Sequence, residues 1–304
     1  MTGSNPPQRR YRAPDAEIAR WEGFEFRSGD IIIDAPSKSG NTWTQLLVAL
    51  LIFDGPDFPR PISEMSPWME QQIRSVDAAH ALFAAQDHRR FIKSHSPLDG
   101  IPVRDEVSYV CVGRDPRDAA VSMRYHSANM KRERFAELMA PQRGGEDPPP
   151  RQPTPSDAAY FDRWIDTDDP EPEWSVRFMV HHYFTFWDRR HEANVALFHF
   201  NDYLTDLPAE LSRLAEHLGI ELTADRAVEL AEEASLAKAR DRAREVAPEA
   251  HLNVWKDPAA FFRSGSSGEW RQRMTEAQQR RYEALVSDMA PPDLAHWIHH
   301  GRLD

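Results

Sequence analysis

The sequence contains almost no cysteine. A single one, Cys111, occurs in a chain of 304 residues. An intrachain disulfide is therefore impossible, and a metal site built from several thiolates is excluded for the same reason. So little cysteine favours a reducing compartment, where disulfides do not persist.

A long apolar run and an excess of basic charge are also missing. The longest apolar segment, 46–53, has eight residues, whereas a membrane-spanning helix needs about 20. Lys and Arg number 37 against 49 Asp and Glu, a net charge of -12. Such a surface repels nucleic-acid phosphates and offers no polybasic membrane anchor. Residues 1–20 carry no apolar signal-peptide core. We therefore expect a cytoplasmic protein with no nucleic-acid partner and no stable membrane anchor.

The remaining composition is that of an ordinary folded domain. Apolar residues make up 40% of the chain and charged residues 28%, and the length suits one large α/β domain. We expect residues 1–20 to form a flexible lead-in and residues 21–304 to form the domain. Within it, residues 141–172 hold 8 of the 24 prolines. We interpret this segment as a long surface loop, of the kind that serves as a lid.

Short apolar runs alternate with helical patterns along the chain. Strands are predicted at 30–34, 90–93, 107–112 and 195–200. Helices are predicted at 43–53, 116–130, 176–191 and 208–218, with one or two more in 222–246. Strands separated by helices favour a mostly parallel sheet with helices on both faces. In such folds the ligand binds at the carboxyl ends of the strands.

The loop at 37–42, between the first strand and the first helix, is the strongest local signal of function. It presents backbone N–H groups and a helix N-terminus to one point, which favours an anion site. Lys38 adds a positive charge. The loop is not a Walker A motif, because the lysine precedes Gly40 instead of following a glycine. The alternative is a plain strand-to-helix turn with a surface lysine.

Two further polar groups follow predicted strands. Lys93 and His95 come at the end of the second strand, although a lone histidine there is more often a structural hydrogen-bonding group. Arg114 follows the third strand, where a guanidinium can bind a phosphate with two hydrogen bonds. Ser122 lies two turns into the next helix. The alternative is that Arg114 pairs with a nearby aspartate. The other histidines lack metal-ligand spacing, and we expect no metal site.

Four short motifs occur in a fixed order along the chain. They are Ser37-Lys38-Ser39-Gly40-Asn41-Thr42-Trp43, then Lys93-Ser94-His95, then Arg114 with Ser122 eight positions on, then Phe262-Arg263-Ser264-Gly265 with Gly268-Glu269-Trp270. In this order they resemble the cytosolic-type sulfotransferases, whose donor is 3′-phosphoadenosine 5′-phosphosulfate (PAPS). The sequence as a whole is most similar to the mycobacterial branch described as glycolipid sulfotransferases.

The resemblance implies a role for each motif. Donor binding falls to Lys38, Ser39, Gly40, Asn41 and Thr42 around the 5′-phosphate, Trp43 and Phe200 as stacking groups, and Arg114, Ser122, Arg263, Ser264 and Gly265 around the 3′-phosphate. His95 is implied as the general base that takes the acceptor proton. Lys38 and Lys93 are implied to stabilise charge on the sulfuryl group and on the leaving oxygen, which agrees with the chemistry of such a transfer.

Several positions depart from the family pattern. Ser264 replaces a lysine, Phe200 a tyrosine, Ala234 a threonine and Asn41 a threonine. The first three changes predict weaker contacts with the donor. The C-terminal dimer motif of the family is not recognisable, so the oligomeric state stays undetermined.

These observations predict a PAPS-dependent sulfotransferase that needs no metal and acts on a hydroxyl of a largely apolar acceptor, first of all a glycolipid. A phenol or steroid hydroxyl is the alternative acceptor. A nucleotide-dependent kinase of related fold and a non-catalytic nucleotide or lipid binder are the alternative functions. Aromatic residues in and near 141–172 either line the acceptor pocket or fill the core; they are Phe135, Tyr160, Phe161, Trp164 and Trp174.

Overall fold

A four-stranded parallel sheet forms the centre of the protein. The computed structural model describes residues 4–5, 7–13, 16–143, 155–168 and 175–302. The strands of the sheet are β1 Ile31–Asp34, β2 Phe91–Ser94, β3 Ser108–Gly113 and β4 Val195–His199. They lie in the order β2-β1-β3-β4, and all three neighbouring pairs are parallel. Each begins and ends within one residue of its predicted bounds.

Consecutive residues of these strands contribute to different cores, because side chains alternate between the two faces of a strand. Ile31 and Ile33 of β1 pack in the core on one face, and Ile32 packs in the core on the other. In β3, Val110 and Tyr109 divide in the same way. All five side chains are fully buried. Burial on both faces explains why these strands read as continuous apolar runs.

Fourteen α-helices lie within the described residues. They are α1 Asn41–Phe53, α2 Ile62–Met65, α3 Val76–Ala84, α4 Pro116–Asn129, α5 Arg132–Met139, α6 Asp157–Asp166, α7 Val176–Trp187, α8 Phe200–Thr205, α9 Leu207–Leu218, α10 Ala224–Glu233, α11 Leu236–Asp241, α12 Ala243–Val246, α13 Glu276–Met289 and α14 Pro292–His300. Helices α1, α9 and α10 contribute to the core on one face of the sheet, and α4, α6, α7, α13 and α14 to the core on the other. The predicted α/β class, with helices on both faces of a parallel sheet, is confirmed.

The strand order reverses beside β1. The chain runs from β1 to the edge strand β2 and then crosses back to β3 on the other side of β1. In parallel sheets, ligands bind at the carboxyl ends of the strands where the order reverses in this way. Lys38 follows β1 and Arg114 follows β3, so the topology brings residues 76 positions apart into hydrogen-bonding contact.

Residues 141–172 are not the continuous surface loop that we predict from the sequence. Helix α6 lies within this segment. Its Tyr160, Phe161 and Trp164 are buried in the core, so these aromatics fill the core instead of lining a pocket. The prediction is wrong here because the prolines lie on either side of α6 and none lies inside it. A helix between prolines is compatible with their fixed backbone angle, whereas one running through them is not.

Part of the predicted lid falls outside the described residues. Residues 144–154 and 169–174 are not described, and they include Trp174. A lid in this part of the chain stays a prediction. Phe135, the other aromatic of the group, lines the cavity described below.

The described part of the N-terminal lead-in contacts the domain and differs from the expected flexible segment. Tyr11 is buried, and its hydroxyl donates a hydrogen bond to Asp99 Oδ1 at 2.8 Å. Arg20 is also buried and donates to the Met69 carbonyl at 2.9 Å. Proline and polar residues indicate a lack of regular structure, which does not prevent single side chains from packing against the domain.

Gly113 allows α14 to pack against the end of β3. A Cβ atom at this position would overlap the indole ring of Trp297. That ring is buried, and Gly113 directly precedes Arg114. The absence of a side chain at 113 therefore fixes how the strand end meets the helix behind it.

We predict that Gly113→Ala destabilises the protein. Overpacking of this kind costs about 1–3 kcal/mol, measured as a lower urea midpoint with an unchanged slope. The double variant Gly113→Ala/Trp297→Phe should lose less stability than the two single variants added together, because the smaller ring makes room for the methyl group. Strict additivity would contradict the steric explanation.

Candidate active site

A cavity of about 410 Å³ lies at the carboxyl ends of the strands. All four sequence motifs contribute to its walls. The predicted site residues that line it are Lys38, Gly40, Asn41, Thr42, Trp43, Lys93, His95, Arg114, Ser122, Phe200, Arg263, Ser264 and Gly265. The volume is in the range of pockets that enclose a small organic ligand. The structure thus brings together every predicted site residue except Ser39.

Ser39 lies beneath the cavity and does not line it. Its side chain is fully buried, with Oγ 2.8 Å from the hydroxyl of Tyr183, and its N–H donates to the Pro36 carbonyl at 3.2 Å. The same Tyr183 hydroxyl accepts a hydrogen bond from the Arg114 N–H at 3.1 Å. Ser39 therefore joins the loop after β1 to the loop after β3, and its predicted contact with a ligand is not supported.

The loop after β1 is shaped by two residues with left-handed backbone angles. Lys38 has φ 70° and Gly40 has φ 117°. A Cβ atom at Gly40 would also lie only 3.2 Å from Val112, so glycine is favoured there by both conformation and space. The loop leads directly into α1, whose first three N–H groups have no partner within the helix. These amides and the positive end of the helix dipole are suited to binding an anion.

Lys38 lines the cavity among other positive groups. Its Nζ lies 3.9 Å from the centre of the Phe261 ring and 3.3 Å from His126 Nδ1. Burial, and then the charges of Lys93 and Arg114, lower the pKa of Lys38 to about 7. Burial and the charge of Lys38 also hold the pKa of His126 well below its ordinary value. The neutral His126 ring can therefore accept a hydrogen bond from Lys38.

His95 follows β2 and is held in one tautomer. Its Nδ1 lies 2.6 Å from the carbonyl oxygen of Ala35, and because a carbonyl only accepts, Nδ1 carries the proton. Burial, and then the nearby charge of Lys93, lower the pKa of His95 well below the ordinary histidine value. The ring is neutral at pH 7, and its Nε2 lone pair can accept a proton. The ring of Trp68 meets it edge to face, with centroids 4.9 Å apart.

Arg114 spans the gap between the first and fourth motifs. Its Nη1 donates to the Lys38 carbonyl and its Nη2 to the Ser266 carbonyl, both at 3.1 Å. The guanidinium lies 4.2 Å from the centre of the Phe200 ring. Its Nε is buried and has no hydrogen-bond partner among the described residues. A buried cationic donor without a hydrogen-bond partner is suited to binding an anionic ligand.

Hydrogen bonds hold the fourth motif against α4. The N–H of Gly268 donates to both carboxylate oxygens of Asp118 at 2.8 Å. Arg263 lines the cavity, and its guanidinium pairs with Glu269 at 2.5 Å. Any contact of Arg263 with a phosphate must therefore compete with this carboxylate.

Trp43 and Phe200 form an aromatic wall. Their ring centroids are 5.5 Å apart with an interplanar angle of 69°. The indole N–H of Trp43 donates to the Ala234 carbonyl at 3.0 Å, which fixes the ring through the backbone of a position where the family has threonine. Flat rings of this kind suit a planar base.

Several cavity residues are not predicted from the sequence, among them the polar side chains of His126, Gln71 and Glu249. His126 stands four positions after Ser122, one helical turn further along the same face of α4. That spacing was a usable signal. Gln71 and Glu249 carry no comparable signal, because only the tertiary fold brings them to the site.

Two further findings apply to the described part of the chain. No group of three or more His, Cys, Asp or Glu residues is placed there to hold a metal ion. None of its helices combines the length and the apolar character needed to cross a membrane.

The start of α1, two lysines and a neutral histidine meet where the strand order reverses, an arrangement suited to a phosphate-binding enzyme that transfers a group. Residues 28–290 match the family model described as the sulfotransferase domain. The chain belongs to this family. The resemblance stated from the four motifs is thereby confirmed, and the kinase alternative is set aside.

Relatives and solved structures match the chain over nearly its whole length. It is 47% identical over 312 residues to a glycolipid sulfotransferase of Mycobacterium bovis (strain BCG / Pasteur 1173P2), covering 96% of this chain and 94% of the relative. A glycolipid sulfotransferase of Mycobacterium tuberculosis (strain ATCC 25177 / H37Ra) is 47% identical over 311 residues, with the same coverage. A structure of retinol dehydratase with retinol and PAP matches with TM-score 0.71 and 20% identity, covering 95% of this chain and 89% of that one. A mouse sulfotransferase with PAP matches with TM-score 0.68 and 19% identity, covering 92% of each chain. The two structures support the fold.

We predict that Lys38 reacts as a neutral amine near neutral pH. Its lowered pKa means that the unprotonated, nucleophilic form gains population as the pH rises through about 7. Pulse labelling with an acylating reagent, read by mass spectrometry of the Lys38 peptide, should show a half-maximal rate near pH 7. The same peptide in the urea-unfolded chain should reach half-maximum near the ordinary lysine value of about 10.4. Identical profiles for folded and unfolded chains would contradict the lowered pKa.

Proposed function

We propose that the protein transfers the sulfuryl group of PAPS to a hydroxyl of a glycolipid. The observation that carries this proposal is the joint lining of one cavity by Lys38, Lys93, His95 and Arg114 in a chain of the sulfotransferase family. The glycolipid sulfotransferases at 47% identity support the acceptor class. The PAP found with two proteins of the same fold supports the donor.

The donor is assigned to the part of the cavity between β1 and β3. The amides at the start of α1 and the Nζ of Lys38 bind the 5′-phosphate, as helix ends and lysines bind phosphates generally. Arg114 and Ser122 bind the 3′-phosphate, and the unpartnered Nε of Arg114 supports this assignment. Trp43 lies against the adenine. The negative charge of the 5′-phosphate beside Lys38 favours the protonated form of this lysine, so donor binding and proton uptake are coupled.

The transfer is assigned to His95 with the two lysines. PAPS supplies a sulfuryl group whose leaving group is the 5′-phosphate of PAP. The acceptor oxygen forms a bond to sulfur while the bond from sulfur to the 5′-phosphate oxygen breaks. The acceptor proton passes to Nε2 of His95, the nitrogen left unprotonated by the hydrogen bond to Ala35. Lys38 and Lys93 stabilise the charge on the leaving oxygen and on the sulfuryl oxygens.

The apolar part of the acceptor is assigned to the wall beyond His126. Met130, Phe135, Trp255 and Phe261 line the cavity there and belong to one apolar cluster. Methionine adapts to irregular chains because its side chain is unbranched and flexible. A hydrocarbon chain therefore has a surface to bind that is separate from the donor phosphates.

A cytoplasmic location is part of this proposal. It is supported by Cys111, which is buried as a free thiol. Free thiols without disulfides are usual in proteins of reducing compartments.

We predict that His95→Ala lowers kcat about 10²- to 10⁴-fold, the usual loss when a general base is removed. The Kd of PAP, measured by calorimetry, should stay nearly unchanged, because the base acts on the acceptor. His296→Ala serves as the matched control, since that histidine is exposed and does not line the cavity. Full activity of His95→Ala would refute the base assignment, and PAP binding without any turnover in the wild-type protein would favour the non-catalytic alternative.

We also predict that Arg114→Ala weakens PAPS and PAP alike, because both carry the 3′-phosphate. Loss of a charge-assisted hydrogen bond costs about 1.5–3 kcal/mol, or roughly 10- to 150-fold in Kd. Adenosine 5′-phosphosulfate, which lacks the 3′-phosphate, should bind the variant and the wild-type protein with similar affinity. An equal loss for all three ligands would show that Arg114 acts only on the shape of the site.

A further inference from the structure

Two buried polar atoms of residues that line the cavity have no hydrogen-bond partner among the described residues. They are the indole Nε1 of Trp68 and the side-chain carbonyl Oε1 of Gln71. Both residues line the cavity, and a single turn joins them, since the Gln71 N–H donates to the Trp68 carbonyl at 3.2 Å. One atom is a donor and the other an acceptor. Buried polar atoms are normally satisfied, so this pair suits a ligand that both accepts and donates hydrogen bonds.

A buried carboxylate lines the same part of the cavity. Glu249 is 5% exposed and is held by Arg74, whose Nη1 and Nη2 donate to its two oxygens at 3.0 and 2.8 Å. This pairing orients the carboxylate while each oxygen retains a further lone pair. Trp68, Gln71 and Glu249 also line a smaller neighbouring cavity, which shows that the three lie close together.

This polar group is next to the reacting histidine. The Trp68 ring contacts the His95 ring edge to face, with centroids 4.9 Å apart, and Lys93 Nζ lies 5.6 Å from the centre of the same indole. An acceptor whose hydroxyl meets Nε2 of His95 therefore presents its adjoining atoms to Trp68 and Gln71.

The apolar wall and the polar group are separate surfaces. Both depend on the segment 247–255, in which Glu249 belongs to the polar group while Val254 and Trp255 belong to the apolar cluster. The indole N–H of Trp255 is satisfied by the Pro248 carbonyl at 2.6 Å. Trp255 thus offers the cavity a hydrocarbon surface, whereas Trp68 offers an N–H donor.

We infer that Trp68, Gln71 and Glu249 form a hydroxyl subsite that binds the sugar of the acceptor. The inference rests on the proposed function and deepens it by assigning an orientation: the sugar lies beside His95, and the hydrocarbon lies along the wall that includes Trp255. Neighbouring sugar hydroxyls each donate and accept, which matches an N–H donor, a carbonyl acceptor and a carboxylate. A phenol or steroid with a single hydroxyl leaves these groups unpartnered, and sites built to bind a hydroxyl discriminate strongly against ligands that lack it.

The test compares two acceptors with the same eight-carbon chain, octyl β-glucoside and 1-octanol. With labelled PAPS, wild-type protein should have a kcat/KM at least tenfold higher for the glucoside. Gln71→Leu and Trp68→Phe should each lower kcat/KM for the glucoside at least tenfold more than for octanol. Gln86→Leu is the matched control, because Gln86 also has a buried, unpartnered Oε1 but lies outside the cavity. Thermal melting of each variant checks that it is folded.

Calorimetry of octyl β-glucoside with PAP-loaded protein separates this inference from the proposed function. Glucoside binding that is lost in Gln71→Leu, in a protein that sulfates neither acceptor, would support the subsite and overturn the proposed reaction. Octanol sulfated as well as the glucoside by wild-type protein would overturn the subsite and leave the reaction standing. An equal loss for both acceptors in Gln71→Leu and Trp68→Phe would also overturn the subsite, because it would reduce these residues to structural supports.

Discussion

Burial of positive charge at the carboxyl ends of the strands is the constraint on which this site depends. Lys38, Lys93 and Arg114 share one cavity, and the charged form of Lys38 is disfavoured there by lost hydration and by the charges of the other two. The lowered pKa of Lys38 expresses this cost. An arrangement that is unfavourable by itself becomes favourable when a multiply charged anion enters. The donor is thus bound by relief of repulsion as well as by direct contact, and His95 remains neutral within the same field.

Hydrogen bonds and close packing around the cavity hold these charges in place. The Tyr183 hydroxyl joins the loops after β1 and β3. Asp118 holds the glycine-rich segment against α4 through the Gly268 N–H. Gly40 gives the first loop its left-handed turn without a Cβ that would crowd Val112. Preorganisation of this kind matters because charge stabilisation is effective only when the groups need not move during the reaction.

The strands, the first and fourth helices and the four motifs are predictable from the sequence because their signals are local: apolar runs, helical spacing and capping residues. The burial of the Ser39 side chain beneath the cavity was not predictable, because a motif does not reveal which of its side chains turns inward. Helix α6 was missed because flanking prolines obscured a ten-residue amphipathic segment. Gln71 and Glu249 could not be predicted as site residues, and the reason is different. Arg74 and Glu249 are 175 positions apart, and no short-range sequence pattern predicts a contact between them.

The alternation of β1 between two cores has a consequence for how this protein can evolve. Ile31 and Ile33 serve one core and Ile32 the other, and the loop that carries Lys38 begins directly after the strand. Insertion or deletion of one residue in β1 would exchange the two sets of side chains between cores of different shape. It would also advance or retract the lysine relative to Arg114. We therefore expect the three isoleucines of β1 to tolerate exchange for other apolar residues far better than the strand tolerates a change in its number of residues.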